Sequence, residues 1–250
     1  MPQREVEVPT EDGSADATLH TPHGEGPWPA VIMFPDAGGR RPTFHAMAQR
    51  LADTGYTVVV PNVYWRAGAI EPFDMHAVYS DPAVRQRMME LATTTPKAAV
   101  ARDTSALLDV LSGLPEVAGT AVGTTGYCAG GGHSLVAAGR HPDRVAAAAS
   151  FHGGYLATSA PDSPHLGAPN IAARVYVASA ADDEHFPPEQ AERLERALRD
   201  AGVDHTMETY PAGHGFAVPD NPTFDEAASE RHWAAMADLF GSVLGGGRPA

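Results

Sequence analysis

Residues 120–132 read TAVGTTGYCAGGG, and this stretch decides the fold. Thr120–Tyr127 has the apolar and β-branched make-up of a buried strand. It runs without a linker into a helix of small residues over Gly131–Gly139. The junction, Gly126-Tyr127-Cys128-Ala129-Gly130, is G-x-C-x-G at a strand-to-helix turn, the nucleophile-elbow arrangement with cysteine at its apex. A turn that sharp forces its central residue into strained dihedrals, and small neighbours let strand and helix close on each other. It also sets a thiol at a helix N-terminus, where the macrodipole favours negative charge, with the Ala129 N–H aimed where an oxyanion would form.

On either side, apolar runs alternate with helical patterns. Arg4–Val8 and Ala17–His20 read as an edge hairpin turning at Glu11-Asp12-Gly13. Pro29–Pro35 and Tyr56–Asn62 read as buried strands separated by a helix over Thr43–Asp53. Arg66–Asp81 reads as a loop, followed by helices over Pro82–Leu91 and Lys97–Leu111. After the elbow come strands at Val145–Phe151, Ala173–Ser179 and His205–Thr209, with helices at Glu189–Asp200 and Phe224–Phe240. Such alternation predicts an α/β fold, a mainly parallel central sheet with helices on both faces. No repeat or composition break divides the chain, so one domain over 1–250 is expected, with a disordered tail from about 244.

Composition narrows the function. The hydrophobic share of 43% supports a large core, and no run of about 18 apolar residues suggests a membrane span. The opening residues carry no secretory apolar region, so a cytoplasmic location is expected. A formal charge of -14 argues against nucleic acid and anionic membranes as partners but does not identify a substrate, and a monomer or homodimer is expected. A single cysteine excludes an internal disulfide and a cysteine zinc cluster. The 12 histidines show no H-x-x-x-H or H-E-x-x-H spacing, so neither metal nor organic cofactor is expected.

The elbow calls for an acid after a later strand and then a histidine after the next. Asp182 and Asp183 follow the strand ending at Ser179, and His214, flanked by glycines, follows the strand ending near Tyr210. His133, His152 and His185 stand near strand ends where a site would form. His20, His23, His45, His76, His141, His165, His205 and His232 read as exposed.

Three motifs in this order, Gly126-Tyr127-Cys128-Ala129-Gly130-Gly131, the D-x-x-F-P of Asp183–Pro187, and Ala212-Gly213-His214-Gly215-Phe216, resemble the dienelactone hydrolase (carboxymethylenebutenolidase) family of α/β-hydrolases. The similarity spans about Pro29 to Phe240. It implies Asp183 rather than Asp182 as the acid, and opening of a small ester or lactone by a Cys128–His214–Asp183 triad through a thioester. It further implies that Asp36 helps deprotonate the thiol and that the Ala37 N–H joins Ala129 in the oxyanion hole. Two departures stand out: Asp36 replaces the family's usual glutamate, and Phe216–Asp220 lacks the arginine that holds a substrate carboxylate. A second family arginine falls near Arg85 and Arg87, which with Tyr64, His152 and Phe216 are the candidates for substrate contact. The alternatives are a thiol esterase or amidase for another acyl substrate, or a binding protein on the same fold.

Overall fold

The structure, a computed structural model, describes residues 3–245. The tail expected from about 244 falls largely on residues outside that range. Eight strands form one sheet: β1 (Gln3–Thr10), β2 (Gly13–His20), β3 (Trp28–Phe34), β4 (Thr57–Pro61), β5 (Val117–Tyr127), β6 (Val145–Phe151), β7 (Arg174–Ala180) and β8 (His205–Tyr210). Their spatial order is β1-β2-β4-β3-β5-β6-β7-β8. The β1–β2 and β2–β4 pairs are antiparallel and the remaining pairs parallel. The expected mainly parallel α/β sheet is therefore present, with β5 near its centre.

Strand side chains alternate between the two faces. In β3, Ala30, Ile32 and Phe34 enter one apolar cluster while Val31 and Met33 enter the other. Helices α1 (Pro42–Ala52) and α7 (Glu226–Val243) cover the Val31 face through Phe44, Met47, Leu51, Met236 and Phe240. Helices α4 (Lys97–Ser112), α5 (Ala129–Arg140) and α6 (Pro188–Asp200) cover the other through Leu107, Leu108, Leu135, Leu194 and Leu198. A sheet screened on both sides reads as continuous apolar runs, which is why β3 and β4 were legible in the sequence.

Two regions differ from the expectations. The β1–β2 hairpin pairs fully from Gln3↔His20 to Thr10↔Gly13, leaving a two-residue turn, because backbone pairing continues past the apolar residues. The loop expected over 66–81 contains a short helix, α2 (Met75–Ser80), whose first N–H groups are capped by Asp74. Asp81 then caps α3 (Pro82–Thr93), which has proline in its first turn. These two helices share a small cluster of Phe73, Met75, Val78 and Met88, separate from the main cores.

Candidate active site

The site gathers at the C-terminal ends of the parallel strands, where loops from neighbouring strands meet. Cys128 occupies the step from β5 to α5 with φ 54 and ψ -117. Such dihedrals cost a non-glycine residue about 1–3 kcal/mol and persist only where surrounding bonds fix them. Here the Cys128 N–H donates to the Phe151 carbonyl at 3.2 Å, and its carbonyl accepts from Gly131 N–H at 3.1 Å and Gly154 N–H at 3.4 Å. The crossing is so close that a Cβ on Gly126 would stand 1.9 Å from the Gly130 oxygen. One on Gly130 would stand 2.3 Å from the Phe34 oxygen.

The loops after β7 and β8 bring in the acid and the imidazole. His214 Nδ1 lies 2.7 Å from Asp183 Oδ2. Asp183 is buried, and its other oxygen accepts the His185 N–H at 2.9 Å, whereas Asp182 is exposed with φ 53. Burial alone would raise Asp183, but the bond and charge of His214 and the His185 N–H hold it below the ordinary carboxylate value. Burial alone would lower His214. The hydrogen bond to Asp183, the neighbouring Cys128 sulfur and the Asp183 charge outweigh it, so His214 is pushed up to about 10. The Thr223 hydroxyl donates to the His214 carbonyl and pins the loop.

Asp36 lies in the turn after β3, 5% exposed. Arg41 takes both its oxygens, at 2.6 and 2.9 Å, and the Gly38 N–H donates to Oδ1 at 2.8 Å. The same guanidinium grips Asp220 at 2.7 and 2.8 Å, and the Thr43 hydroxyl donates to Asp220 at 2.7 Å. Burial would depress Arg41, but the charges of Asp36 and Asp220 keep it protonated. This carboxylate–guanidinium–carboxylate bridge escaped the sequence reading. No motif marks Arg41 in the sequence, and its second partner is 179 positions away. The bridge braces the loop carrying Ala37, whose carbonyl accepts the Tyr64 hydroxyl at 2.8 Å. Among the described residues, no protein acceptor takes the N–H of Ala37 or of Ala129.

A cleft of about 260 Å³ opens beside the elbow, walled by Pro35, Asp36, Tyr64, Ala129, Gly154 and Tyr155, with Lys97 and His133 further along. Tyr64, one of the contact candidates, lines this cleft. The other contact candidates do not. Phe216 is fully buried, stacked on Tyr210 with centroids 5.1 Å apart. His152, 1% exposed with φ 39, packs edge-on against His214, ring centroids 5.2 Å apart, and neither of its nitrogens finds a protein partner. Burial, then the charges of His214 and His232, hold His152 well below the usual imidazole value. Arg85 and Arg87 lie exposed on α3, packed over the rings of Tyr79 and Phe73, and neither lines the cleft.

Of the remaining histidines, His185 packs edge-on against His214, centroids 4.8 Å apart, and bonds the Tyr155 hydroxyl at 3.0 Å through Nδ1. His20 and His232, expected to be exposed, are buried. His20 pairs with Gln49, and His232 with the Tyr127 hydroxyl and the Ser229 carbonyl. Polar partners three to 105 residues away make that burial tolerable, and periodicity cannot reveal them. Among the described residues, no three His, Cys, Asp or Glu side chains converge to hold a metal ion, and no helix is long and apolar enough to cross a membrane.

A doubly covered parallel sheet with a strained residue between its central strand and the following helix, and an acid–histidine pair on later loops, defines an α/β-hydrolase. The family model for the dienelactone hydrolase family matches residues 15–244, and the chain belongs to that family, whose members hydrolyse carboxylic esters and lactones. It is 26% identical to a carboxymethylenebutenolidase of Rhodococcus opacus, covering 90% of this chain and 86% of that one. Among solved structures it is similar to a dienelactone hydrolase-like promiscuous phosphotriesterase from metagenomic libraries, at 28% identity and TM-score 0.76, covering 97% and 99% of the two chains. A candidate dienelactone hydrolase of Klebsiella pneumoniae, at 24% identity and TM-score 0.82 over 95% and 97%, shares the fold.

Proposed function

We propose that Cys128, His214 and Asp183 form a nucleophilic triad that opens a small ester or lactone through a thioester. The observation that carries this reading is the 2.7 Å bond from His214 to Asp183 beside a thiol held at the elbow. His214 takes the thiol proton, and its raised pKa lets it keep that proton near neutrality. The thiolate attacks the carbonyl carbon. The oxyanion is received by the free N–H groups of Ala129 and Ala37, donors worth roughly 3–4 kcal/mol each in related chemistry. Collapse of the tetrahedral intermediate breaks the bond to the leaving oxygen, which takes the proton from His214. Neutral His214 then draws a proton from water as it attacks the thioester. The acid is released and the thiol restored.

Asp36 has a different part in this scheme from the one the resemblance implies. With both oxygens on Arg41, it positions the Ala37 loop, and the proton of Cys128 goes to His214. The reaction as written draws on the chain's own side chains and backbone N–H groups and on water, with the chain acting as one unit in the cytoplasm. Its test is Cys128→Ala assayed on p-nitrophenyl acetate and on small lactones. Turnover should fall by several orders of magnitude with His214 and Asp183 intact. Rates equal to wild type would remove the triad.

A further inference from the structure

Four non-glycine residues take positive φ among the described residues: Cys128, His152, Tyr155 and Asp182, all on the loops that follow β5, β6 and β7. Backbone strain of this kind gathers at functional sites. Cys128 is the elbow, His152 is buried against His214, and a short polar residue such as Asp182 tolerates this conformation. Tyr155 has no such account. It is bulky, has φ 55 and leaves 51% of its surface exposed, so burial does not offset its strain. His185 holds it at both ends. The Tyr155 N–H donates to the His185 carbonyl at 2.7 Å, and the phenol hydroxyl bonds His185 Nδ1 at 3.0 Å. The two loops touch at Gly154, where a Cβ would stand 3.1 Å from the His185 Cβ. The result is a half-exposed ring fixed on the wall of the active-site cleft.

Sheet order decides which half of a substrate that ring meets. The loops after β6 and β7, carrying Tyr155 and His185, lie between Cys128 after β5 and His214 after β8. Asp36, Ala37 and Tyr64 come from the loops after β3 and β4, on the other side of Cys128. The leaving oxygen takes its proton from His214, so the alcohol half of an ester departs on the β6–β8 side. His185 packs edge-on against His214, centroids 4.8 Å apart, and carries the Tyr155 ring on its own, centroids 5.4 Å apart. A rigid exposed ring gives a flat aromatic group a stacking surface without the cost of ordering it on binding, and it gives an aliphatic group only contact area. We propose that Tyr155, positioned by His185, is the subsite for the alcohol half of the substrate and selects esters of aromatic alcohols. This rests on Cys128 being the nucleophile and His214 the proton donor.

The test compares benzyl acetate with cyclohexylmethyl acetate, which share an acyl group and a primary alcohol of similar size and differ in the aromatic ring. The ratio of their kcat/KM values cancels any general loss of activity. Tyr155→Asn should lower the ratio of benzyl to cyclohexylmethyl about fivefold, the scale of one aromatic stack. Asparagine accepts positive φ, so the loop keeps its path. Tyr155→Phe should keep most of the ratio, because the ring and its backbone bond remain. His185→Leu frees the ring and should lower the ratio in the same direction. Equal losses on both esters in Tyr155→Asn, as a mere brace for His185 would give, overturn the subsite while leaving the hydrolase standing. Wild type that turns over p-nitrophenyl acetate but neither of these esters does the same. A wild-type protein inert to all three esters overturns the hydrolase reading instead.

Discussion

Arg41→Met puts the bridge between the β3 and β8 loops to a quantitative test. The Arg41 side chain is 1% exposed, and it faces Asp36 at 6% and Asp220 at 32%. Removing it deletes four charge-assisted hydrogen bonds and one to the Gly39 carbonyl. The larger effect is what remains, since Asp36 becomes a buried carboxylate facing only the Gly38 N–H. Removing one partner of a buried pair costs about 3–5 kcal/mol. Asp220 is partly exposed and can recover water, which favours the lower end. Against a typical total of about 5–15 kcal/mol, this is a large fraction. At roughly 2–4 °C per kcal/mol for a chain of this size, about 3 kcal/mol lowers Tm by about 6–12 °C. Thermal and urea unfolding followed by circular dichroism would measure it. Adding Asp36→Asn to Arg41→Met removes the stranded charge while keeping an acceptor for Gly38, so the double variant should be more stable than the single one by at least about 1 kcal/mol. A single variant within about 1 kcal/mol of wild type, or a double variant no better than the single, would refute the reasoning.

Two further outcomes follow from the same geometry. The folded-state pKa values of Asp183 and Asp220 are depressed, so their contribution to stability is present above the ordinary value of 3.8 and lost as pH falls through the folded values. The folded-state pKa of His214 is raised, so its contribution is complete below 6.5 and lost as pH rises through about 10. Urea midpoints measured against pH should therefore fall at both ends, and His214→Gln should flatten the alkaline limb specifically; an unchanged alkaline limb would count against the pairing. Gly126→Ala should abolish soluble folded protein or cost more than about 3 kcal/mol, because the new methyl meets backbone that cannot yield. A variant melting within a few degrees of wild type would show that the elbow is looser than described.

The sequence revealed what is local or strictly ordered along the chain. The elbow is contiguous, the acid and histidine follow it in fixed order, and the buried strands are unbroken apolar runs. The preference for Asp183 over Asp182 came from the family pattern; in the structure Asp183 is buried against His214 and Asp182 is exposed. What stayed hidden depends on pairing across the fold. Nothing near Arg41 announces Asp220, and nothing near Tyr155 ties it to His185. Phe216 and His152 were expected to meet substrate because they follow or end strands at the right edge of the sheet. Their side chains are instead buried, His152 packing edge-on against both His214 and Phe216, and the burial of a side chain at a strand end depends on neighbours from other loops. Helix α2 was missed because six residues are too few for a helical period to show, although Asp74 and the Asp81-Pro82 pair are cap signals.

The covalent intermediate offers the most direct test. Wild-type protein mixed with p-nitrophenyl acetate and quenched in acid within milliseconds should carry one acetyl group, located by peptide mass spectrometry on the peptide containing Cys128. His214→Gln should retain that acyl group far longer, since neither proton delivery nor water activation remains. Full turnover with no acyl group on Cys128 at any quench time, or an acyl group on another residue that survives in Cys128→Ala, would contradict the account.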